Sequence, residues 1–225
     1  MDESTGAGGA ATRRAFLAGA GGTALAGLAG CLGSTGKVDT KSAVTPGGDG
    51  TLPVPVAGDP NADVTVMAFE DFACPHCEEY SVNVAPEIFS QYVDPGKVRY
   101  EFYDFPIPVD KQVSWQAASA ARAVQKRQGD AAFFDYAHAL YEHQSSLGPS
   151  EYATLANQLG FEGSAVKKAA VNETYRDTVS KYRKYGKKIG VRGTPTIVVD
   201  GKAVKQTASA ISDAIDQALS TTTTQ

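Results

Sequence analysis

The chain has 225 residues, of which 42% are hydrophobic, and its formal net charge is −4 at neutral pH. This length is enough for one domain with a hydrophobic core once a leader is removed. The mild negative charge gives no reason to expect a nucleic acid or an anionic membrane surface as a partner, and three cysteines are too few for a disulfide scaffold.

Residues 1–30 have the pattern of an export signal and are not treated as part of a fold. Arg13 and Arg14 precede a weakly apolar stretch, an order that resembles a twin-arginine export signal. The stretch ends in Leu28-Ala29-Gly30-Cys31, which resembles a lipobox, in which the cysteine is lipidated and becomes the first mature residue. A chance cysteine behind an ordinary cleavage site and a retained signal anchor are the alternatives. Each interpretation places the rest of the chain outside the cytoplasm, in a compartment that tolerates disulfides.

Residues 31–51 are predicted to be a flexible tether, because they are rich in Gly, Ser, Thr and Lys and cannot bury a core. The tether would hold the domain off the membrane. Leu52–Val56 is predicted as an edge strand, since its two prolines exclude it from a central position. Val64–Phe69 is an apolar run and is predicted as the first core strand.

A Cys-Pro-His-Cys sequence at residues 74–77 follows this strand, at the point where a helix begins. The first cysteine then lies at a helix N-terminus, where unpaired backbone N–H groups and the helix dipole favour a negative charge. We therefore expect Cys74 to have a lowered pKa and to be the nucleophile. Pro75 suits the first helical turn, because its missing N–H has no partner within the helix.

Redox chemistry is the favoured interpretation of the Cys74–Cys77 pair, and two others, a zinc site and a pair of inert thiols, stay open. A structural zinc ion needs four ligands, and the histidines are only His76, His138 and His143. The last two are five residues apart and do not share a helix face. Attachment of a c-type haem requires a histidine after the second cysteine, where the chain has a glutamate. The remaining interpretation is a pair of inert buried thiols.

The middle of the chain changes from strand to helix periodicity. The helix behind the cysteine pair is expected to kink or break at Pro86, and Val98–Tyr103 alternates as the next strand. From Val113 to Ile189 the apolar residues recur at helical spacing, and the longest helix is predicted at Asn172–Ile189.

The C-terminal part returns to strands. Thr196–Val199 and Ala203–Lys205 flank Asp200 and Gly201, a pair typical of a type I′ hairpin turn. Ser209–Leu219 is predicted as an amphipathic helix, and residues 221–225 as a disordered tail. The order of elements is a strand pair, a helical block and a second strand pair.

Two motifs together resemble the DsbA-like thiol-disulfide oxidoreductases of the thioredoxin superfamily. They are the Cys-Pro-His-Cys motif after an aromatic-rich strand and Gly193-Thr194-Pro195-Thr196 before an apolar strand. The resemblance covers roughly Val54–Leu219. It implies an α/β, thioredoxin-like fold, with residues 52–112 and 190–220 as the core and residues 113–189 as a helical insertion between the two strand pairs. It also implies that Pro195 is a cis-proline against the cysteine pair, and that Thr194 and Pro195 shape the substrate groove.

The resemblance also bears on three side chains near the pair. His76 would donate a hydrogen bond or add positive charge beside the Cys74 thiolate; a solvent-facing loop histidine is the alternative. Relatives often hold a buried acid below the second cysteine as a proton relay, but the residue six before Cys74 is an alanine here. Glu70 or Asp71 would substitute for it, unless both are solvated carboxylates at a strand end.

The implied activity is the introduction of disulfides into exported proteins by an extracytoplasmic enzyme. Cys74 would be the exposed sulfur that forms the mixed disulfide, and Cys77 the more buried partner. A membrane protein of the DsbB or vitamin K epoxide reductase type would re-oxidise the pair, and no metal or organic cofactor is implied. The enzyme would be held on the outer face of the membrane by a lipid at Cys31, or else be secreted or signal-anchored. A disulfide isomerase or reductase of the same fold, and a lipid-anchored thiol metal-binding protein, are the alternatives.

Overall fold

The computed structural model describes residues 49–222. The predicted export signal, Cys31, residues 31–48 of the tether and residues 223–225 lie outside the described residues. Among the residues that are described, no helix has the length and apolar character needed to cross a membrane.

A mixed sheet of five short strands carries the rest of the fold. The strands are β1 (Val56–Gly58), β2 (Thr65–Glu70), β3 (Arg99–Asp104), β4 (Thr196–Val199) and β5 (Lys202–Val204). Their order across the sheet is β1-β3-β2-β4-β5. The central pair, β2 and β3, is parallel, and the other pairings are antiparallel. The sheet therefore combines a first strand pair with a second one, as the order of elements predicts.

Eight α-helices surround the sheet within the described range. They are α1 (Pro75–Glu79), α2 (Ala85–Ile88), α3 (Lys111–Gln128), α4 (Asp130–Glu142), α5 (Pro149–Gln158), α6 (Gly163–Val171), α7 (Arg176–Lys188) and α8 (Ala208–Thr222). Helices α3 to α6 form a block between β3 and α7. The predicted helical block between two strand pairs is confirmed.

The helix that carries the cysteine pair changes its winding around Pro86 instead of ending there. Two π-helical segments, Tyr80–Val84 and Phe89–Val93, precede and follow the short helix α2, and Pro86 occupies the start of α2. The N–H of Ala85 bonds to the carbonyl of Tyr80, five residues back. This wider turn accommodates a residue that has no N–H to donate. The regular α-helix is broken as expected, but the chain stays helical to residue 93.

Alternation along β2 separates two packing layers. Val66 and Ala68 point to the face covered by α2 and α8, whereas Met67 and Phe69 point to the face covered by α7. Successive side chains of a strand point to opposite faces, so a buried strand must be apolar on both. This explains why Val64–Phe69 reads as a continuous apolar run.

Helix α7 belongs to both the sheet layer and the helical block. Val179 packs with the helical block, and Tyr182, Tyr185 and Ile189 pack on the sheet. The boundary predicted after residue 189, between the helical insertion and the second part of the core, stays a prediction. The helix itself starts later than expected, at Arg176, because Glu173 has φ +46° and so interrupts the helical path after α6. The expectation that it is the longest helix is therefore wrong within the described range, where α3 has 18 residues and α7 has 13.

Both ends of the described chain differ slightly from the expectation. The edge strand is present, but it begins at Val56, behind the prolines. Helix α8 extends to Thr222, so the first two residues of the predicted tail are helical. The hydroxyls of Thr221 and Thr222 donate to carbonyls four residues back, which extends the last turn. The type I′ hairpin is confirmed, since Asp200 and Gly201 both have positive φ.

A buried ion pair joins the helical block to the end of β3. Arg122 of α3 is 0% exposed and donates to Asp104 over 2.8 Å and to the carbonyl of Pro53 over 3.1 Å. Its guanidinium lies between the rings of Phe133 and Tyr182. These contacts fix the block over the same end of the sheet at which the cysteine pair lies.

Candidate active site

Cys74 occupies the N-cap position of α1. Its backbone is extended, and the N–H groups of Cys77 and Glu78 bond to its carbonyl over 2.9 and 3.1 Å. The loop that leads to it is tight, since the N–H of Cys74 bonds to the carbonyl of Asp71 over 3.0 Å. Pro75 follows in the first turn of the helix. The predicted position of Cys74 at a helix N-terminus is confirmed.

The second motif lies against the first. The Thr194–Pro195 peptide bond is cis, as expected, and the Cys74 thiol lies 3.4 Å from the carbonyl of Thr194. This contact joins residues 120 positions apart. It follows from the sheet register, in which Phe69 of β2 pairs with Thr196 of β4, because the loops next to these residues then meet at one edge.

Several neighbours lower the pKa of Cys74 to about 5. The largest cause is the hydrogen bond from the Cys77 side chain, and the backbone N–H groups of Cys77 and His76 act in the same direction. The hydroxyl of Thr194, which is buried without a conventional hydrogen-bond partner among the described residues, also lowers the pKa. Burial of the thiolate opposes these effects. At neutral pH Cys74 is therefore a thiolate, the form that reacts with disulfides.

Cys77 has the opposite electrostatic environment. It is 0% exposed, and burial is the largest cause of a raised pKa. The Asp71 N–H, 3.5 Å from its sulfur, acts weakly against this. Neither cysteine is in a disulfide. One member of the pair is thus a thiolate and the other a neutral thiol that donates to it.

The expected exposure of Cys74 is wrong for this dithiol state, because the residue is only 2% exposed. The Thr194–Pro195 loop lies against its sulfur on one side. On the other side the Gln144 side-chain amide donates to the carbonyls of Phe72 and Cys74, each over 3.0 Å. Sequence reasoning missed Gln144, since nothing local marks a residue 70 positions away as part of the loop's support.

His76 is exposed, between the two cysteines. Its backbone N–H helps to lower the pKa of Cys74. Within residues 49–222, no hydrogen bond or ion pair joins its imidazole to another residue. The role expected for the imidazole stays a prediction.

Glu70 is a buried carboxyl group beneath the cysteine pair. It is 2% exposed, and burial is the largest cause that raises its pKa to about 8. The Ser81 hydroxyl donates to its Oε2 over 2.7 Å and opposes this rise, as does the nearby Tyr141 hydroxyl, which lies beyond conventional hydrogen-bond distance. The charge of Glu70 raises the pKa of Cys77. At neutral pH Glu70 therefore holds a proton beside a buried thiol.

Asp71 is also buried, but its carboxylate has three donors. The N–H groups of Ala73 and Ile107 and the Ser114 hydroxyl bond to it over 2.8 to 2.9 Å. Burial raises its pKa to about 6, and these donors limit the rise. Asp71 thus connects the loop before Cys74 to the start of α3. The alternative of solvated carboxylates is wrong for both Glu70 and Asp71, because each is 2% exposed.

Comparisons with known proteins identify a family for most of the chain. The family model described as thioredoxin matches residues 51–217. Disulfide bond formation protein D of Bacillus subtilis is 30% identical over 158 residues, which cover 67% of this chain and 69% of the relative. The crystal structure of oxidised BdbD from B. subtilis superposes with a TM-score of 0.69 at 26% identity and covers 84% of this chain and 98% of that one. For DsbA of Chlamydia trachomatis the TM-score is 0.64 at 26% identity, over 72% of this chain and 90% of the other.

We predict that Cys74 titrates with a pKa of about 5 and that Cys77→Ala raises this pKa by about one unit or more, because the largest stabilising donor is lost. Thiolate absorbance in the ultraviolet measures it, with Cys74→Ser as the blank. His76→Ala keeps the backbone N–H, so the same titration isolates the contribution of the imidazole. An unchanged pKa in Cys77→Ala would contradict the assigned cause.

Proposed function

Because this chain belongs to the thioredoxin family and is a DsbA-like protein disulfide oxidoreductase, we propose that it introduces disulfides into exported proteins through the Cys74–Cys77 pair. The observation that supports this most strongly is the Cys74 sulfur, with its pKa of about 5, at a helix N-terminus beside the Thr194 carbonyl. Stabilising the thiolate stabilises the reduced pair, which makes the disulfide a stronger oxidant.

The proposed reaction starts from the Cys74–Cys77 disulfide. A substrate thiolate attacks the sulfur of Cys74, and Cys77 leaves with the electron pair of the broken bond. A second thiolate of the substrate then attacks the substrate sulfur of this mixed disulfide, and Cys74 leaves as a thiolate. The substrate has gained a disulfide, and its two electrons remain in the reduced pair. The low pKa of Cys74 favours the second step, since a thiol of lower pKa leaves faster.

We assign the proton relay to Glu70. When the disulfide opens, Cys77 becomes a buried thiolate, and its raised pKa means that it must take up a proton. Glu70, with a pKa of about 8, is protonated at neutral pH and supplies that proton. In the dithiol protein Glu70 is protonated again, so it must release this proton before it can accept the one that leaves Cys77 when the disulfide forms. Asp71, held by three donors, is assigned a positioning role for the loop instead.

Thr194 and Pro195 are proposed to line the substrate groove. The Thr194 carbonyl lies within 3.4 Å of the reactive sulfur, so a peptide that reaches Cys74 must pass this backbone. Pro195 has no N–H, which leaves the backbone of Thr194 to pair with an extended substrate segment. His76 is proposed to add positive charge at the exposed side of the pair.

We also propose that the enzyme is extracytoplasmic and tethered by a lipid at Cys31. Within the described residues, the chain enters the domain at the end of the sheet that carries Cys74: the Pro55 carbonyl accepts from Phe102 in β3, and the Leu52 carbonyl accepts from Tyr182. The predicted tether between Cys31 and this entry would let the pair reach a membrane re-oxidant of the DsbB or vitamin K epoxide reductase type, which takes up the two electrons. Cys31→Ser should release the protein from the membrane fraction; its retention there would rule out the lipid anchor.

The oxidase function predicts that the disulfide form, at catalytic amounts and with a re-oxidant present, forms disulfides in a reduced unfolded test protein, and that Cys74→Ser abolishes this. Appearance of native disulfides is followed by quenching with an alkylating agent. An isomerase would act on a scrambled test protein but form few new disulfides. Stoichiometric binding of zinc or copper without dithiol oxidation would support the metal-binding alternative.

If Glu70 is the proton relay, Glu70→Gln should slow the oxidation of substrate dithiols by a factor that depends on pH. At neutral pH the variant should oxidise a dithiol peptide more slowly by about a hundredfold, the usual contribution of a positioned acid. The ratio of the wild-type rate to the variant rate should fall towards one as the pH rises through about 8, because Glu70 then ionises in the wild type. Glu79→Gln is the matched control, since it removes an exposed carboxylate from α1, the helix that carries the cysteine pair. Equal losses in both variants would exclude a specific relay.

A further inference from the structure

The net charge of −4 conceals an uneven distribution of charge across the sheet. One face of the sheet is covered by α7, in which Asp177 is the only acidic residue. From position 181 to its end this helix carries Lys181, Arg183, Lys184, Lys187 and Lys188. The opposite face is covered by the helical segment 75–93 and by α8, which contain no lysine and no arginine. Their acidic residues are Glu78, Glu79, Glu87, Asp213 and Asp216. The domain therefore has a positive side and a negative side.

The five basic residues of α7 share the solvent side of the helix, and we call them the basic face of α7. At about 100° per residue, positions 181 to 188 that hold them span about 160° of the circumference. Tyr182 and Tyr185 lie on the other side, in the core. Within residues 49–222, the ammonium groups of Lys184, Lys187 and Lys188 have no hydrogen bond or ion pair. These three charges are exposed and available to an outside partner.

The basic face ends next to the proposed redox site. Lys188 is the last residue of α7, and the exposed Arg192 lies in the connection from this helix to the cis-proline loop. In that loop the Thr194 carbonyl lies 3.4 Å from the Cys74 sulfur. Six residues of chain span at most about 20 Å, so Thr194 lies within that distance of Lys188. A surface that binds the end of α7 is therefore close to the reactive sulfur.

The start of the described chain runs along the same helix. The N–H of Leu52 donates to the Thr178 hydroxyl over 3.1 Å, and the Tyr182 hydroxyl donates to the Leu52 carbonyl over 2.7 Å. The ammonium group of Lys181 donates to the Asp49 carboxylate over 3.3 Å. The predicted tether thus joins the domain at α7, and a flexible chain of its length has a root-mean-square span of about 20 to 25 Å.

A tether of this kind keeps the domain beside the membrane but leaves its orientation open. Charge can select the orientation, because anionic headgroups attract the basic face and repel the acidic side of the domain. Clusters of four to eight lysines and arginines are typical of binding to anionic lipids. The net charge alone gives no sign of this, since the acids of the opposite side outweigh the basic face in the total.

The composition of the basic face favours lipid headgroups over a protein partner. Protein interfaces depend on a few large apolar or aromatic anchors that become fully buried. Within the described residues, the exposed large hydrophobic side chains are Val109, Leu159 and Val171, and none of them is on α7. The basic face offers charge without an apolar anchor, which suits the surface of a bilayer.

We propose that the basic face of α7 binds anionic phospholipid headgroups and orients the tethered enzyme, with α7 towards the membrane and α8 away from it. The proposal rests on the membrane-tethered placement proposed above. In this orientation the connection that carries Arg192 and Thr194 lies beside the membrane surface. A re-oxidant in the membrane then meets the reactive sulfur more often, while the redox chemistry of the pair is unchanged.

The test uses the full chain with Cys31→Ser, so that no lipid contributes, and vesicles of phosphatidylglycerol or of phosphatidylcholine. Lys187→Gln/Lys188→Gln removes two adjacent lysines at the end of α7. Lys167→Gln/Lys168→Gln is the matched control, because it removes two adjacent exposed lysines near the end of α6 and changes the net charge equally. A third variant adds Lys184→Gln to the α7 pair. Co-sedimentation measures the partition of each protein onto the vesicles.

Each lysine near an anionic surface contributes about fivefold to binding. At about 0.1 M salt, loss of the α7 pair should weaken partition onto phosphatidylglycerol by about 25-fold, and loss of all three lysines by about a hundredfold. The α6 pair should change it by less than about threefold, since screening limits the effect of distant charges. All variants should partition equally onto phosphatidylcholine. Equal effects of the α7 and α6 pairs on phosphatidylglycerol overturn the proposal.

A second measurement tests the orientation. A spin label is attached at Ser180→Cys on the solvent side of α7 or at Gln217→Cys on α8, in a chain that also has Cys74→Ser and Cys77→Ser. On phosphatidylglycerol vesicles with nickel-chelating headgroups, the label at position 180 should relax several-fold faster than the label at position 217. Equal relaxation at both positions would show that α7 does not face the membrane.

The outcome is separable from that of the proposed function. At about 1 M salt the Debye length is about 3 Å, so the basic face is screened and fractionation in that salt reports the lipid at Cys31 alone. If the α7 variants bind vesicles as the control does, but Cys31→Ser still releases the protein in that salt, the lipid anchor stands and the basic face fails. If Cys31→Ser is retained in that salt, the lipid anchor itself fails.

Discussion

The hydrogen bond between the two cysteines of the pair is the interaction on which the rest of this structure depends. It requires Cys74 to be a thiolate and Cys77 to be a neutral thiol at the same pH. The position of Cys74 at the N-terminus of α1 favours its thiolate, and the full burial of Cys77 favours its neutral thiol. Two chemically identical side chains three residues apart thereby acquire opposite roles. The chemistry follows from this difference, because the low-pKa sulfur is the one that leaves most easily.

The fold supports this difference from several directions. The register between β2 and β4 brings the cis-proline loop to the sulfur of Cys74, and Gln144 holds the preceding loop from the helical block. Asp71 ties the same loop to the start of α3, while the Glu70 carboxyl accepts from no backbone N–H within residues 49–222 and keeps its proton. The two adjacent acids at the end of β2 are thus assigned different roles: Asp71 positions the loop, and Glu70 donates a proton.

Much of the site was predictable, because local rules determine it. The helix N-terminus at Cys74 and the hairpin at Asp200 follow from local rules, whereas the cis-proline was expected from the resemblance of its motif to the family. Glu70 had a usable signal too: it lies two residues after Ala68, and residues two apart on a strand share a face. Glu70 lies two positions after the one that holds the acid in relatives, so its side chain still points to the layer beneath the cysteines. That parity argument would have separated Glu70 from Asp71.

Other features had no local signal. The contact from Gln144 and the burial of Cys74 arise only when the helical block packs over the loop, and no periodicity encodes them.

The equilibrium between the pair and a glutathione buffer tests the central claim most directly. A stabilised Cys74 thiolate predicts an oxidising potential, in the range from about −120 to about −180 mV, that becomes less oxidising in Cys74-neighbour variants such as Thr194→Val. A wild-type potential near about −270 mV, as reducing as that of thioredoxin, would contradict the account.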